Sequence, residues 1–262
     1  MSLTFFGVIT WGASASAWVA KLLNSHPEIF CVHSLGQSQT ENLGNKIMHV
    51  AGLPGRVAHG NLLAYSKKLI THAGHYQCIG DVHSVTDSRT WQRVAEPLAA
   101  LVHPRALKTA ILVRDPITRI ASAMKLAAQP EQQPALIGPL LHANSGYREW
   151  LFKKLCRRTA QKIIWESASG YPIFKMEDVV TSYDAAQALA AAVTDGALTL
   201  SPEAYAALQG APVNHHQAQS APKGSEAMWQ SWAPWQRDIF QKEIAGGAAK
   251  RYADLGYALP SF

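Results

Sequence analysis

The chain has 262 residues, 48% of them hydrophobic and 16% charged, a length and composition that suit one α/β domain with insertions spanning residues 1 to 262. Eight Trp, eight Tyr and seven Phe argue against a disordered chain. The formal net charge of +6 favours an anionic ligand, yet the basic residues form no run, so nucleic acid is not an indicated partner.

The first element is an apolar strand (Phe5, Phe6, Val8, Ile9) that runs into T-W-G-A-S-A-S-A-W, Thr10 to Trp18, and a helix over Ala17 to Leu23. Small and hydroxyl residues that open a helix after a strand form a phosphate site, because the first helical N–H groups are unpaired and the macrodipole is positive there. Nucleotide loops of this kind carry a lysine, but no charged residue stands between Thr10 and Ala20. The segment Leu3 to Ala20 contains A-S-A like a secretory leader, but it lacks a basic start and Lys21 continues the helical pattern. It reads as a buried strand and helix, and no other run predicts a membrane span.

Pro27 breaks the chain before a short strand at Ile29 to Val32, and residues 34 to 60 are polar and Gly-rich. Leu62, Leu63, Leu69 and Ile70 mark a helix, Y-Q-C-I-G-D-V-H a strand, and Thr90 to Leu101 another helix. In K-T-A-I-L-V-R-D-P the continuous apolar run Ala110 to Val113 predicts a strand covered on both faces. Asp115 and Pro116 then suit the cap and first turn of a helix. After a loop punctuated by Pro130, Pro134 and Pro139, Tyr147 to Ala168 reads as a long basic helix, Y-P-I-F-K as a strand and Tyr183 to Val193 as an Ala-rich helix. Residues 196 to 227 read mostly as loop, and Trp235 to Leu255 as a last helix stopped by Gly256. Strands alternating with helices predict an α/β fold with a doubly wound, mostly parallel sheet. Ligands then sit at the carboxyl ends of strands, near Thr10 to Trp18, His33, Asp81 to His83, and Arg114 onward.

In R-D-P-I-T-R-I-A-S, Arg114 to Ser122, an arginine at a strand end precedes a helix bearing Arg119 and Ser122 one turn apart. A guanidinium fork and a hydroxyl suit phosphate oxygens. With these residues the chain resembles the PAPS-dependent sulfotransferases, whose donor is 3′-phosphoadenosine 5′-phosphosulfate and whose fold is nucleotide-kinase-like. The resemblance gives Arg114 and Ser122 the 3′-phosphate. It lays T-W-G-A-S-A-S-A-W over the family's 5′-phosphosulfate loop T-Y-P-K-S-G-T-T-W, so Gly12, Ala13, Ser14, Ala15, Ser16 and Ala17 become donor-binding positions. Trp18 takes the place of a tryptophan that packs on adenine, with an ordinary core aromatic as the other reading.

L-L-N-S-H-P-E-I, A-L-K-T-A-I-L-V-R-D-P, F-K-M-E-D-V-V and a terminal D-L-G-Y follow in the family's order. In P-K-G-S-E-A-M-W-Q-S-W, Lys223 and Gly224 match the R-K-G that closes over the nucleotide, with Pro222 in place of the arginine. Two histidines fit a general base. His83 falls where cytosolic members have K-T-H, and His33 where tyrosylprotein enzymes place a glutamate; imidazole titrates near neutrality and suits either. Three departures stand out: Ala13 in place of lysine or arginine, Ala15 in place of glycine, and Asp81 in place of the lysine of K-T-H. Lys21, Lys108 and Lys223 are candidate replacement cations.

The implied reaction is sulfuryl transfer from PAPS to a hydroxyl of a small molecule or glycan, with PAP as product. A non-catalytic 3′-phosphoadenosine nucleotide binder on the same fold and an ATP-dependent phosphotransferase are the alternatives. Acceptor-side insertions are expected near 34 to 75, 126 to 147 and 196 to 222. The pairs His72/His75 and His215/His216 have no accompanying carboxylates, so no metal is expected. Cys31, Cys78 and Cys156 stand far apart with no C-x-x-C, which points away from disulfides and towards the cytoplasm. Oligomeric state is open.

Overall fold

Five apolar runs become five parallel strands in the computed structural model of the chain, which describes residues 3–10, 16–33, 76–82, 87–89, 91–92, 107–127, 145–209 and 224–260. The strands are β1 (Thr4–Thr10), β2 (Ile29–His33), β3 (Cys78–Val82), β4 (Leu107–Val113) and β5 (Ile173–Lys175). Helices among the described residues include, in chain order, α1 (Ser16–Leu23), α2 (Pro116–Ala127), α3 (Ser145–Ser167), α4 (Met176–Thr181), α5 (Tyr183–Thr194), α6 (Pro202–Gln209), α7 (Ser225–Ser231), α8 (Pro234–Ile244) and α9 (Gly247–Asp254). The helices expected around Leu62 to Ile70 and from Thr90 to Leu101 lie largely or wholly outside the described residues, as do residues 34 to 75.

The chain divides into two compact units, Met1–Val113 with Gly170–Gln219, and Arg114–Ser169 with Ser220–Phe262. The first holds the sheet, in the order β2-β3-β1-β4-β5. Every pairing is parallel, so all five strands end at one edge of the sheet: Thr10, His33, Val82, Val113 and Lys175. From β1 the chain moves outward to β2, and from β3 it crosses β1 to reach β4. Such a reversal leaves the ligand crevice of an α/β sheet at the carboxyl ends of the strands.

Side chains alternate across the sheet. On one face Phe6, Val8, Cys31, Val82, Ala110 and Leu112 pack with Trp18, Val19, Leu22 and Leu23 of α1 and with Ala186, Leu189, Ala190 and Val193 of α5. On the other, Phe5, Ile9, Ile79 and Ile111 are buried, and Trp91 donates from Nε1 to Thr109 Oγ1 at 2.7 Å. The second unit has an aromatic core: Ile117 and Ile120 of α2 and Phe152 of α3 pack with Trp229, Trp232 and Phe240. Along the basic side of α3, Arg157 Nε pairs with Glu243 Oε2 at 2.8 Å, the arginine exposed and the carboxylate largely covered.

Two stretches differ from the sequence reading. Within residues 196 to 227, read mostly as loop, S-P-E-A opens α6: Ser201 Oγ accepts from the Ala204 N–H at 3.2 Å and Pro202 takes the first helical position, where its missing N–H costs nothing. The expected last helix from Trp235 to Leu255 is two, because Gly246 adopts φ 75, a left-handed conformation that ends α8 before α9 begins.

All three cysteines are buried and none is in a disulfide. Burial, reinforced by Asp81, holds Cys31 well above the usual thiol range; burial pushes Cys78 up to about 11 and Cys156 higher still. The thiolate is the reactive form. At about pH 8 a chromogenic disulfide reagent is therefore expected to leave the folded protein unreacted while titrating three thiols in denaturant. Rapid reaction of any thiol in the folded chain would contradict this packing.

Candidate functional site

In the first unit, the carboxyl edge of the sheet brings together two side chains that lie 17 residues apart in sequence: Ser16 Oγ and His33 Nε2 are 2.9 Å from each other. Ser16 is the first residue of α1 and is buried; His33 is the last residue of β2 and is half-buried. Their meeting depends on Asn24, just past α1. Its amide donates to the carbonyls of Ala20 at 2.8 Å and Cys31 at 2.6 Å, and its side-chain oxygen accepts from the Cys31 N–H at 2.9 Å. One side chain thus closes the helix and holds the middle of the strand that carries His33. The sequence reading missed Asn24, although asparagine just past a helix is a recognisable signal.

Ala17 is half-buried beside Ser16. Trp18 is only 6% exposed, meets Tyr205 edge to face at 5.9 Å between centroids, and donates its indole N–H to the Leu208 carbonyl at 3.3 Å. Helix α6, unexpected from sequence, supplies both partners. Gly12, Ala13, Ser14 and Ala15 lie outside the described residues, and so does His83, which directly follows Val82 in the chain. The register partner of Val82 is His33. Asp81, one residue earlier, is buried at this edge.

Two of the three candidate replacement cations lie among the described residues. Lys108 stands near the amino end of β4, where its register partner is Phe6, and its Nζ is 2.6 Å from Asp195 Oδ1. It is at the wrong end of the sheet. Lys21 lies in the last turn of α1 and is exposed. Lys223 lies outside the described residues.

In the second unit, Arg114 NH1 donates to Ser122 Oγ at 3.2 Å across eight residues, so guanidinium and hydroxyl form one polar group at the start of α2. Asp115 caps that helix, accepting from the Thr118 N–H at 2.8 Å. Its other carboxylate oxygen accepts from Ser225 Oγ at 3.0 Å. Gly224, immediately before Ser225, is therefore tied to the residue next to Arg114, a link through Ser225 that sequence reasoning did not find. Arg119, paired with Ser122 in the sequence reading, turns elsewhere: it is only 7% exposed and donates from NH1 to Thr159 Oγ1 at 2.6 Å. Burial pulls its guanidinium down to about 9, with Tyr252 opposing the shift and Arg114 adding to it.

Neither a family model nor a curated protein matches the chain. Solved structures do. A sulfotransferase from Alicyclobacillus acidocaldarius is similar with a TM-score of 0.50 at 13% identity, over 99% of this chain and 98% of that one. Mouse sulfotransferase SULT7A1 complexed with PAP is similar with a TM-score of 0.50 at 10% identity, over 97% of this chain and 89% of that one. The chain has a sulfotransferase-like fold.

Within this sulfotransferase-like fold the sheet is all parallel and flanked by helices. Among the described residues, no helix is long and apolar enough to cross a membrane. No three His, Cys, Asp or Glu side chains gather as for a metal ion among them; His72, His75, His215 and His216 lie outside that set. The sulfotransferase-like fold thus presents two small polar groups, Ser16 with His33 in one unit and Arg114 with Ser122 in the other.

Proposed function

We propose that the protein is a sulfotransferase that moves the sulfuryl group of PAPS to a hydroxyl of a small-molecule or glycan acceptor and releases PAP. The observation that carries this reading is the 3.2 Å contact of Arg114 with Ser122, a planar cation and a hydroxyl converging as one phosphate monoester requires. A 3′-phosphate is the group that separates PAPS from ATP. The fold shared with a sulfotransferase complexed with PAP supports the same donor. In this reading Gly12, Ala13, Ser14, Ala15, Ser16, Ala17 and Trp18 line the 5′-phosphosulfate and adenine side, and Lys223 and Gly224 close over the nucleotide.

His83 is the general base. As the acceptor oxygen attacks sulfur, its proton passes to the imidazole and a new S–O bond forms. The S–O bond to the 5′-phosphate breaks, and its electron pair leaves with PAP. Charge grows on that leaving phosphate, so donors fixed around it lower the barrier. The acceptor is chosen by the insertions near 34 to 75, 126 to 147 and 196 to 222. Three buried cysteines outside any disulfide support a reducing compartment, the cytoplasm.

Ala13, which leaves the loop without a cation, favours a second reading: a 3′-phosphoadenosine nucleotide binder without turnover. Calorimetric titration with PAP, ADP and ATP tests what both readings share, and the expected order places PAP tightest. Preference for ATP would overturn both in favour of a phosphotransferase. Transfer of labelled sulfate from PAPS to a panel of hydroxyl acceptors, lost in His83→Ala, separates enzyme from binder.

A further inference from the structure

A phosphate loop without a lysine leaves the leaving-group charge to be met from elsewhere. Between Thr10 and Ala20 the chain has no charged residue, Lys108 is held by Asp195 near the other end of β4, and Lys21 sits in the last turn of α1. His33 is a titratable group that touches this segment: its Nε2 lies 2.9 Å from Ser16 Oγ.

The direction of that hydrogen bond matters. A neutral imidazole with an unprotonated Nε2 accepts the serine hydroxyl, which then has no proton left for a ligand. An imidazolium can only donate: Nε2–H points to Ser16 Oγ, and the hydroxyl proton is turned outward as a donor. Protonation of His33 thus adds a positive charge beside Ser16 and removes the tautomer whose Nε2 takes the hydroxyl proton, leaving Ser16 as a hydrogen-bond donor, the two things an arriving phosphate oxygen needs.

We propose that His33 is the positioning residue that replaces the absent loop lysine: as imidazolium it acts through Ser16 on the phosphate of the 5′-phosphosulfate group, making donor binding tighten on acidification. This rests on the reading of the protein as a binder of 3′-phosphoadenosine nucleotides.

The charged and titratable groups on the elements around His33 are few among the described residues. On β2 itself there is Cys31, whose buried thiol stays neutral because its titration is pushed well up. On β3 there are Cys78, also pushed up, and Asp81, register partner of Val32 and therefore on the face of the sheet opposite His33. On α1 there is Lys21 alone. Imidazole is the side chain whose charge changes near neutrality, which sets the range of the test. The sign also separates His33 from the ligand. Phosphate monoesters lose charge below about pH 6, so fixed cations alone predict weaker binding on acidification.

Calorimetry with PAP and with adenosine 3′-monophosphate, which lacks the 5′-phosphate, tests this between about pH 8 and pH 6. The expected result is PAP affinity rising about sixfold from pH 8 towards pH 6, the effect across this range of a one-unit rise in a histidine's titration on binding, with no such rise for the 3′-monophosphate. In His33→Gln, which can still donate to Ser16 but cannot be charged, the PAP slope is expected to vanish. In His33→Lys, PAP is expected to bind tightly at both ends of the range. A PAP slope that survives His33→Gln, or one shared by the 3′-monophosphate, overturns the assignment while leaving a 3′-phosphate-dependent nucleotide site intact. Preference for ATP over PAP at every pH overturns the functional reading itself. Should His33→Gln fail to fold, the two ligands on the unaltered protein decide the matter.

Discussion

Arg114→Ala is expected to weaken PAP binding about 30- to 100-fold while leaving ADP binding within about twofold. The size corresponds to about 2–3 kcal/mol, within the ~1.5–3 kcal/mol of a single hydrogen bond between charged partners. Ser122, 3.2 Å from Arg114 NH1, supplies one neutral donor, so Ser122→Ala is expected to cost only about three- to tenfold. Arg114→Lys should recover part of the loss, since the charge returns without the planar fork. ADP is the control because it has no 3′-phosphate. Equal weakening of PAP and ADP in Arg114→Ala would assign Arg114 to the framework of α2 instead of to the ligand.

Gly80→Val is expected to destabilise the protein by about 3 kcal/mol, the upper end for overpacking a core, and to lower the thermal midpoint by about 10 °C. The cause is specific. A Cβ on Gly80 would lie 2.3 Å from the ring of Phe6, its register partner on β1, and Phe6 is wholly buried. Neither side can retreat, because β1 is the middle strand of the sheet. Gly7 makes the same allowance on the other face, where a Cβ would meet the Trp91 ring at 2.4 Å. The double variant Phe6→Ala with Gly80→Val is expected to lose less than the sum of the single changes, as coupled neighbours do. Wild-type melting of Gly80→Val would show that the ring does not occupy that slot.

The legible parts of this protein are those whose signal is local. Ala110 to Val113 reads as a buried strand because both faces of a parallel strand must be apolar. Asp115 before Pro116 reads as a helix start because the cap and the first turn lie within four residues, and the carboxylate does accept the Thr118 N–H. The separation of Arg114 and Ser122 is legible for the same reason, being one strand end and two turns of one helix. Arg119 shows the limit. Its spacing on α2 suggests company for Ser122, yet which way a helix face turns depends on what packs against it, and Thr159 of α3 receives the guanidinium.

Composition, apolar runs and cap residues by themselves determined a parallel α/β sheet and the edge at which its chemistry would lie. They did so because strand burial, helix capping and chain reversal are each set within a few residues. Only the tertiary structure decided which side chains meet there. Trp18 finds Tyr205 and Leu208 on a helix that the sequence had hidden in a loop. Lys108, attractive by its charge, proves to stand near the amino end of its strand. Ser16 meets His33 because strand order and the Asn24 bridge bring the end of β2 beside the start of α1. Such pairings are set by the arrangement of whole elements, and that information is carried by the packing of the core, not by any short stretch of the chain.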